Sequence, residues 1–357
     1  MPGGHLFYVW LQKTFPHFSK DAILGRVTSR ARLLLGSTRI TFSILCGISA
    51  LVPLLTSAAP SRSAQAALRQ DTQFEALPLL RSQQNHLLVH AFINDKPALL
   101  IVDSGSPGTV IASKRRAHFG VSPVSSDSKY PARVRVNGSY STLVMARTLR
   151  LGGLTVGEVP AISVDLSGPR RAARSLHEQE ADGILGTDVL FASRAVLDCQ
   201  RQVLILNMQP DLPTAVPGLD FRGFQKVPMF VTEGFNLYVD GLVNGSQARL
   251  LVDTGAFTTL LHRPFVRRLH IPTAQTRLAS AAINLKEEGL DIARIRKLSV
   301  GTVDLLGKEV GVVDLGGILH EGSQLSPPAV GLLGAELLNS HHGIIDFGTR
   351  TLYLKKT

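Results

Sequence analysis

The strongest constraint on this chain is that its body is written twice. Displacing the sequence by 150 positions lays residues 74–105 on 224–255 without a gap, and 10 of the 32 pairs are identical. About two would coincide at average composition. The identities include Phe74/Phe224, Pro78/Pro228, Leu87/Leu237, Asn94/Asn244, Val102/Val252, Asp103/Asp253 and Gly105/Gly255. With small gaps the match continues. Leu149, Gly152 and Asp165 fall on Leu298, Gly301 and Asp314; Gly183, Gly186, Leu190, Asp198 and Leu204 fall on Gly331, Gly334, Leu338, Asp346 and Leu352. Each copy is roughly 130 residues, enough to bury a core of its own. Two units of that length do not make a solenoid. They imply one domain duplicated and packed about a pseudo-two-fold axis, as in a symmetric dimer.

Within each copy the pattern is that of short strands. His86 to Ile93 and Ala98 to Val102 flank Asn94-Asp95, and Leu237 to Val243 and Ala248 to Val252 flank Asn244-Gly245. Such pairs suit the positive φ angles of a two-residue hairpin. Leu100-Ile101-Val102 and Leu250-Leu251-Val252 lack polar alternation, which predicts strands buried on both faces. Arg133 to Val136, Asn137-Gly138 and Ser139 to Val144 read as a further hairpin. Its second-copy counterpart, around Ala282 to Arg296, is expected to turn near Glu287-Glu288-Gly289. Helical pattern is brief: Ser113 to Phe119, Arg263 to Leu269, and a turn or two after each later glycine pair. Residues 207–223, with three prolines, read as a linker, and 168–180 as a polar surface loop. The expected fold is all-β. Its expected organisation is a leader over 1–66, a first lobe over 67–209, and a linker plus second lobe over 210–357.

One motif carries chemistry. Each copy has three apolar residues, then Asp-[Ser/Thr]-Gly-[Ser/Ala], then Thr six positions after the Asp: Asp103-Ser104-Gly105-Ser106 with Thr109, and Asp253-Thr254-Gly255-Ala256 with Thr259. Further on come Ile184-Leu185-Gly186, ending 83 residues after Asp103, and Leu332-Leu333-Gly334, ending 81 after Asp253. A single such Asp-Ser/Thr-Gly arises by chance in about one chain in five of this length, usually as a turn after a strand. Two, at equivalent places with the same downstream element, are specific. Two Asp carboxyls facing across a symmetry axis cannot both ionise cheaply, so they share a proton. One then takes a proton from a bound water while the other donates to a carbonyl oxygen.

On these motifs the chain resembles the retropepsin and pepsin group of aspartic proteases, and most of all the bacterial retropepsin-like domains, here fused in tandem. The resemblance covers residues 74–354. It implies two closed β lobes related by a pseudo-two-fold axis, with Asp103 and Asp253 as the catalytic pair. Ser104 and Thr254 are then the hydroxyls that bond across between the loops, and Gly105 and Gly255 permit the tight turns. The hairpin around Asn137-Gly138-Tyr140 would be the flap, with Tyr140 its aromatic. Phe257 is bulkier than the residue usual at its place. The implied activity is aspartic-type endopeptidase acting on peptide or protein substrates, as a monomer, with no cofactor and no metal. The rival reading is a non-catalytic peptide-binding module that has kept the groove.

Charge and composition narrow the rest. The chain carries 38 Lys and Arg against 27 Asp and Glu, a formal +11 that invites a nucleic-acid reading. Residues 1–66, however, hold seven of the bases and one of the acids, which leaves only +5 over 67–357. No recognition motif accompanies the short basic runs, so no nucleic-acid partner is expected. A hydrophobic fraction of 44% excludes a disordered chain, and 32 Gly with 19 Pro argue against a helical bundle. The uncharged, mostly apolar run Ile40 to Ser61 follows the basic segment and precedes Ala64-Gln65-Ala66, which reads as an export signal with an A-x-A site. The run is also long enough to anchor the chain in a membrane uncut. Either way the body is expected outside the cytoplasm, periplasmic or anchored at the inner membrane. Cys199 alone remains in the body, expected as a small buried apolar residue. The adjacent His341-His342 lacks metal-ligand spacing. The paired Asp165/Asp314 and Asp198/Asp346 sit at strand ends, where a structural role is expected.

Overall fold

The computed structural model describes residues 73–356 apart from 126, 138, 168–169, 171–172, 175, 212–215, 217–218, 281–287, 306–308 and 321. The leader therefore lies outside the described residues, as do Gly138 and the second-copy segment 281–287. Among the described residues no helix is long and apolar enough to cross a membrane.

The fold is all-β and two-lobed, as the duplication implies. In the first lobe Leu87–Ile93 and Lys96–Val102 form a hairpin whose turn is Asn94 at φ 49° and Asp95 at φ 65°. Asn and Asp tolerate that left-handed region at low cost. Gly183–Leu185 lies parallel to the end of Lys96–Val102 and antiparallel to Val110–Ala112, which pairs with Leu154–Val164. Leu154–Val164 pairs with the long strand Ser139–Leu151, and Phe92↔Arg150 and Ile93↔Leu149 return that strand to the start. Six strands thus close on themselves, which removes the exposed edges an open sheet would leave.

The second lobe repeats this plan. Leu237–Val243 and Ser246–Val252 turn through Asn244 at φ 50° and Gly245 at φ 88°, and Ala329–Leu333 runs parallel to the end of Ser246–Val252. Here the counterparts of the two longest strands are each broken, into Glu288–Arg294 with Leu298–Val300 and into Val303–Asp304 with Glu309–Val313. The triplets Leu100-Ile101-Val102 and Leu250-Leu251-Val252 are buried throughout, as predicted. Short helices, Arg116–Phe119, Thr187–Ala192, Arg263–Arg268 and Ala335–Ser340, fall where the sequence indicates them.

A six-stranded sheet joins the lobes, in the order Phe74–Pro78, Val203–Asn207, Val196–Asp198, Ile344–Asp346, Thr351–Lys355, Phe224–Pro228. Three strands come from each copy. At its centre Val196 pairs with Asp346, Leu197 with Ile345 and Asp198 with Ile344. Leu197 and Ile345 are equivalent residues of the two copies, so the pseudo-two-fold axis passes between them. Both are fully buried in an apolar core that runs through the two lobes.

Three local expectations need revision. The second-copy hairpin does not turn at Glu287-Glu288-Gly289: Glu288 and Gly289 are already in the returning strand, opposite Ser280 and Ala279. The run before it, Ala281-Ala282-Ile283-Asn284-Leu285, carries no turn signature and no strict alternation, so it gives no register. Ser139–Leu151 does not stop at Val144 but continues, because the same strand serves first the hairpin and then the barrel closure. Residues 207–223 are not wholly linker, since Phe221 stacks on Tyr353 with ring centroids 4.0 Å apart.

The strand-end acids prove structural. Asp198, buried, accepts from the Arg201 N–H at 2.9 Å, and Asp346 accepts from Thr349 N–H at 2.9 Å. Asp165 and Asp314 cap Ser167 and Gly316 in the same way. Cys199 is a free, buried thiol pushed up to about 12 by desolvation.

Leu197→Ala opens a cavity on the axis. It is expected to lower the unfolding free energy by about 2–5 kcal/mol, measured by urea denaturation, while Leu242→Ala, at a residue 42% exposed, serves as the near-neutral control.

Candidate active site

The two Asp loops leave equivalent strands and meet between the lobes. Asp103 follows Val102, and its N–H donates to Leu185 O at 3.1 Å; Asp253 follows Val252, and its N–H donates to Leu333 O at 3.0 Å. The later apolar strand thus pins the start of each loop. The glycine ending that strand is required by contact. A Cβ on Gly186 would run into the backbone of Gly108, and one on Gly334 into that of Thr258. The two stretches of main chain pass too closely for any side chain between them.

The next residue of each loop reaches into the other lobe. Ser104 Oγ donates to Val252 O at 2.8 Å, and Thr254 Oγ1 donates to Val102 O at 2.8 Å. In return the Ser104 N–H donates to Thr254 Oγ1 at 3.0 Å, and the Thr254 N–H to Ser104 Oγ at 3.1 Å. Each hydroxyl both donates and accepts, and both residues are buried. The pattern is isologous: what one loop does to its partner, the partner does back.

This clamp sets Asp103 against Asp253. The two carboxyls stand close enough to alter each other's ionisation, which favours a single proton shared between them. Gly105 N–H donates to Asp103 Oδ1 at 2.7 Å; Gly255 and Ala256 N–H donate to Asp253 Oδ1 at 2.9 and 3.0 Å. A Cβ on Gly105 would lie 2.5 Å from Asp253 Cγ, and one on Gly255 2.5 Å from Asp103 Cγ. Only glycine lets each loop's backbone lie against the opposite carboxyl. Burial pushes both carboxyls above the usual carboxylate range. Asp253 is driven well up, first by burial and then by the charge on Asp103. The N–H donors pull the other way but do not cancel desolvation. The pair therefore holds one proton over a wide pH span, and the two titration steps belong to the pair.

Thr109 and Thr259 anchor the far side of the loops. Thr259 Oγ1 accepts from Gly334 N–H at 3.0 Å. Thr109 is held by Asp188, which the sequence reading passes over: Thr109 Oγ1 donates to Asp188 Oδ1 and Thr109 N–H to Asp188 Oδ2, both at 2.9 Å. An available signal is that Asp188 stands two residues after Gly186 and Glu336 two after Gly334, an acid repeated in both copies. Burial raises the Asp188 carboxyl to about 6, against its hydrogen bonds from Thr109 and Val189.

Tyr140 stands on the hairpin Arg133–Val136/Ser139–Leu151, next to the Asn137 turn at φ 47°. It is 65% exposed, with Arg133 over its ring at 5.6 Å. It is thus on the expected hairpin, with its side chain largely in solvent. Phe257 is 40% exposed beside the second loop. Among the described residues no group of three or more His, Cys, Asp or Glu could hold a metal. His341 is buried, its Nδ1 3.2 Å from Lys355 O.

A family model described as aspartyl protease matches residues 89–189 and again 239–337. A search of curated proteins found no match. Among solved structures, the crystal structure of basic 7S globulin from soybean is similar, at 10% identity and a TM-score of 0.43, over 80% of this chain and 95% of that one.

Two outcomes are expected from this geometry. Ser104→Ala and Thr254→Val each strip partners from two buried groups and should cost about 2–4 kcal/mol. Their double-mutant cycle in chemical denaturation should show a coupling of about 0.5–3 kcal/mol. Separately, the Asp188 carboxyl binds its proton more tightly folded than unfolded. Its contribution to stability is full below pH 3.8 and is lost as the pH rises through about 6. Asp188→Asn should flatten that part of the decline in a pH series of melting temperatures.

Proposed function

The chain belongs to the aspartyl protease family, and from that premise we propose that it is an aspartic endopeptidase whose dyad is Asp103 and Asp253, one from each lobe. The observation that supports this reading is the pair of Asp loops locked together by four crossed hydrogen bonds, each loop's glycine lying against the opposite carboxyl.

The chemistry follows from the shared proton. A water between the carboxyls gives one proton to the ionised Asp as its oxygen attacks the scissile carbonyl carbon. The protonated Asp donates to the carbonyl oxygen, so a neutral gem-diol forms instead of an exposed oxyanion. Collapse breaks the C–N bond: the departing nitrogen takes a proton from one Asp while a gem-diol hydroxyl gives its proton to the other and becomes the carbonyl of the new carboxylic acid, so the pair returns to one proton. The N–H groups of Gly105, Gly255 and Ala256 keep the carboxyls oriented through these transfers. Such preorganisation avoids reorientation at the moment of reaction. Both halves of the dyad lie in one chain, which supports action as a monomer. The basic and then apolar leader supports export of the enzyme, and the hairpin bearing Tyr140 is read as a flap over peptide substrates.

Asp103→Asn and Asp253→Asn should each fold normally by circular dichroism and lose at least about 10²-fold in peptide cleavage. The readout is a diverse peptide pool assayed across acid to neutral pH. Undiminished cleavage by either variant would sink the shared-dyad mechanism. Binding without turnover by the unmodified chain would favour the peptide-binding module instead.

A further inference from the structure

One polar contact breaks the symmetry of the site. The turn before the strand Leu87–Ile93 is closed by Ser82, which accepts from the Asn85 N–H through its carbonyl and from the His86 N–H through Oγ. The second lobe builds the same turn with Thr232, Phe235 and Asn236. The two turns end differently. Phe235 is buried and meets Phe191 of the first lobe at 5.4 Å. Asn85 and His86 instead cross to the opposite Asp loop. Asn85 Nδ2 donates to Phe257 O at 3.4 Å, and His86 Nε2 lies 3.0 Å from Gly255 O.

A carbonyl can only accept, so His86 presents an Nε2–H there, whether the ring is neutral or charged. The Gly255 carbonyl and the Ala256 N–H belong to one peptide group, and that N–H donates to Asp253 Oδ1 at 3.0 Å. Donation into the carbonyl polarises the peptide and strengthens what its N–H gives to the carboxyl. His86 therefore acts on Asp253 through a single peptide plane, and no equivalent residue type occupies the second lobe's turn. The charged groups facing the imidazole are Asp103, from the Asp loop of its own lobe, and Glu178, from the 176–180 loop. Glu178 also accepts from the Gln83 N–H at 2.6 Å, which ties it to the same turn.

We propose that His86 is a positioning residue for the dyad, fixing the Gly255–Ala256 peptide that holds Asp253 and, when protonated in acid, favouring the singly ionised pair. The second part rests on the endopeptidase reading; the electrostatic link between His86 and the carboxyls does not. Desolvation holds the ring below its ordinary 6.5, with Asp103 pulling the other way, so its charge appears on the acid side of neutrality. A cation beside the pair resists full protonation of the dyad and extends activity to lower pH.

The test uses the full chain and two readouts. In the first, the His86 ring is followed by NMR through a pH titration, its signal assigned by its loss in His86→Gln. The Asp103→Asn/Asp253→Asn double variant should lower its midpoint by about 0.5 unit or more. An unmoved midpoint overturns the proposal, and this arm stands even if the chain cleaves nothing. In the second, His86→Gln keeps an amide donor but no charge, and His86→Leu keeps neither. The acid limb of kcat should rise by about 0.5–1 pH unit in His86→Gln. Above pH 6.5, Gln should recover kcat that Leu loses, with KM changed little in either. Coincident profiles for the unmodified chain, Gln and Leu would overturn the positioning role.

Discussion

Two carboxyls that must share a proton repel one another as soon as both ionise, and nothing in their own chemistry holds them together. The crossed bonds of Ser104 and Thr254 do so. Each hydroxyl ties its loop to the last strand carbonyl of the other lobe and accepts the opposite loop's N–H. These groups are buried, so releasing any of them leaves an unpaired donor or acceptor out of reach of water. The dyad is thus held by bonds that do not involve the carboxylates, and it can change its protonation during a reaction without loosening the site. Much of the remaining architecture serves this contact. The closed barrel of the first lobe and the matching sheet of the second fix the strands that deliver the loops, and the six-stranded sheet holds the two lobes in register.

That sheet also explains why the duplication is useful and not merely repetitive. Equivalent residues Leu197 and Ile345 face each other at its centre. The same axis relates the two hydroxyl exchanges above it. A site built on the axis needs two copies of one solution, and a single chain supplies both at fixed stoichiometry. Covalent linkage then frees the copies to diverge. Asp188 holds Thr109 in the first lobe, while Glu336 stands at its place in the second. Two strands that run unbroken in the first lobe are each split in the second.

The sequence makes the axis, the hairpins and the two Asp loops readable because each leaves a local or repeated mark. Asn-Asp and Asn-Gly fix turns through backbone φ, and unbroken apolar triplets mark strands buried on both faces. Gly186 and Gly334 repeat because two stretches of main chain touch there. What lacks such a mark is less readable. The segment preceding Glu288, Ala281-Ala282-Ile283-Asn284-Leu285-Lys286-Glu287, carries no turn signature and no strict alternation to set a register. Asp188 is visible as a repeated acid, but its bond to Thr109 spans 79 residues, and only the folded barrel brings them together. His86 stands where the copies differ, so self-similarity passes it over.

Symmetry and chemistry make opposite demands here. A two-fold pair of carboxyls shares its proton equally, but the proposed reaction needs one base and one acid in each step. The geometry already departs from equality. Asp253 Oδ1 accepts from two backbone N–H groups, those of Gly255 and Ala256, while Asp103 Oδ1 accepts from Gly105. The N–H donors favour the ionised form, whereas burial first and then the charge of Asp103 favour a protonated Asp253. The two influences oppose each other on the same residue. Asp253 is driven further above the usual carboxylate range than Asp103, so in the proposed reaction, where the pair alternates between base and acid within one turnover, Asp253 holds the proton first and Asp103 acts first as the base.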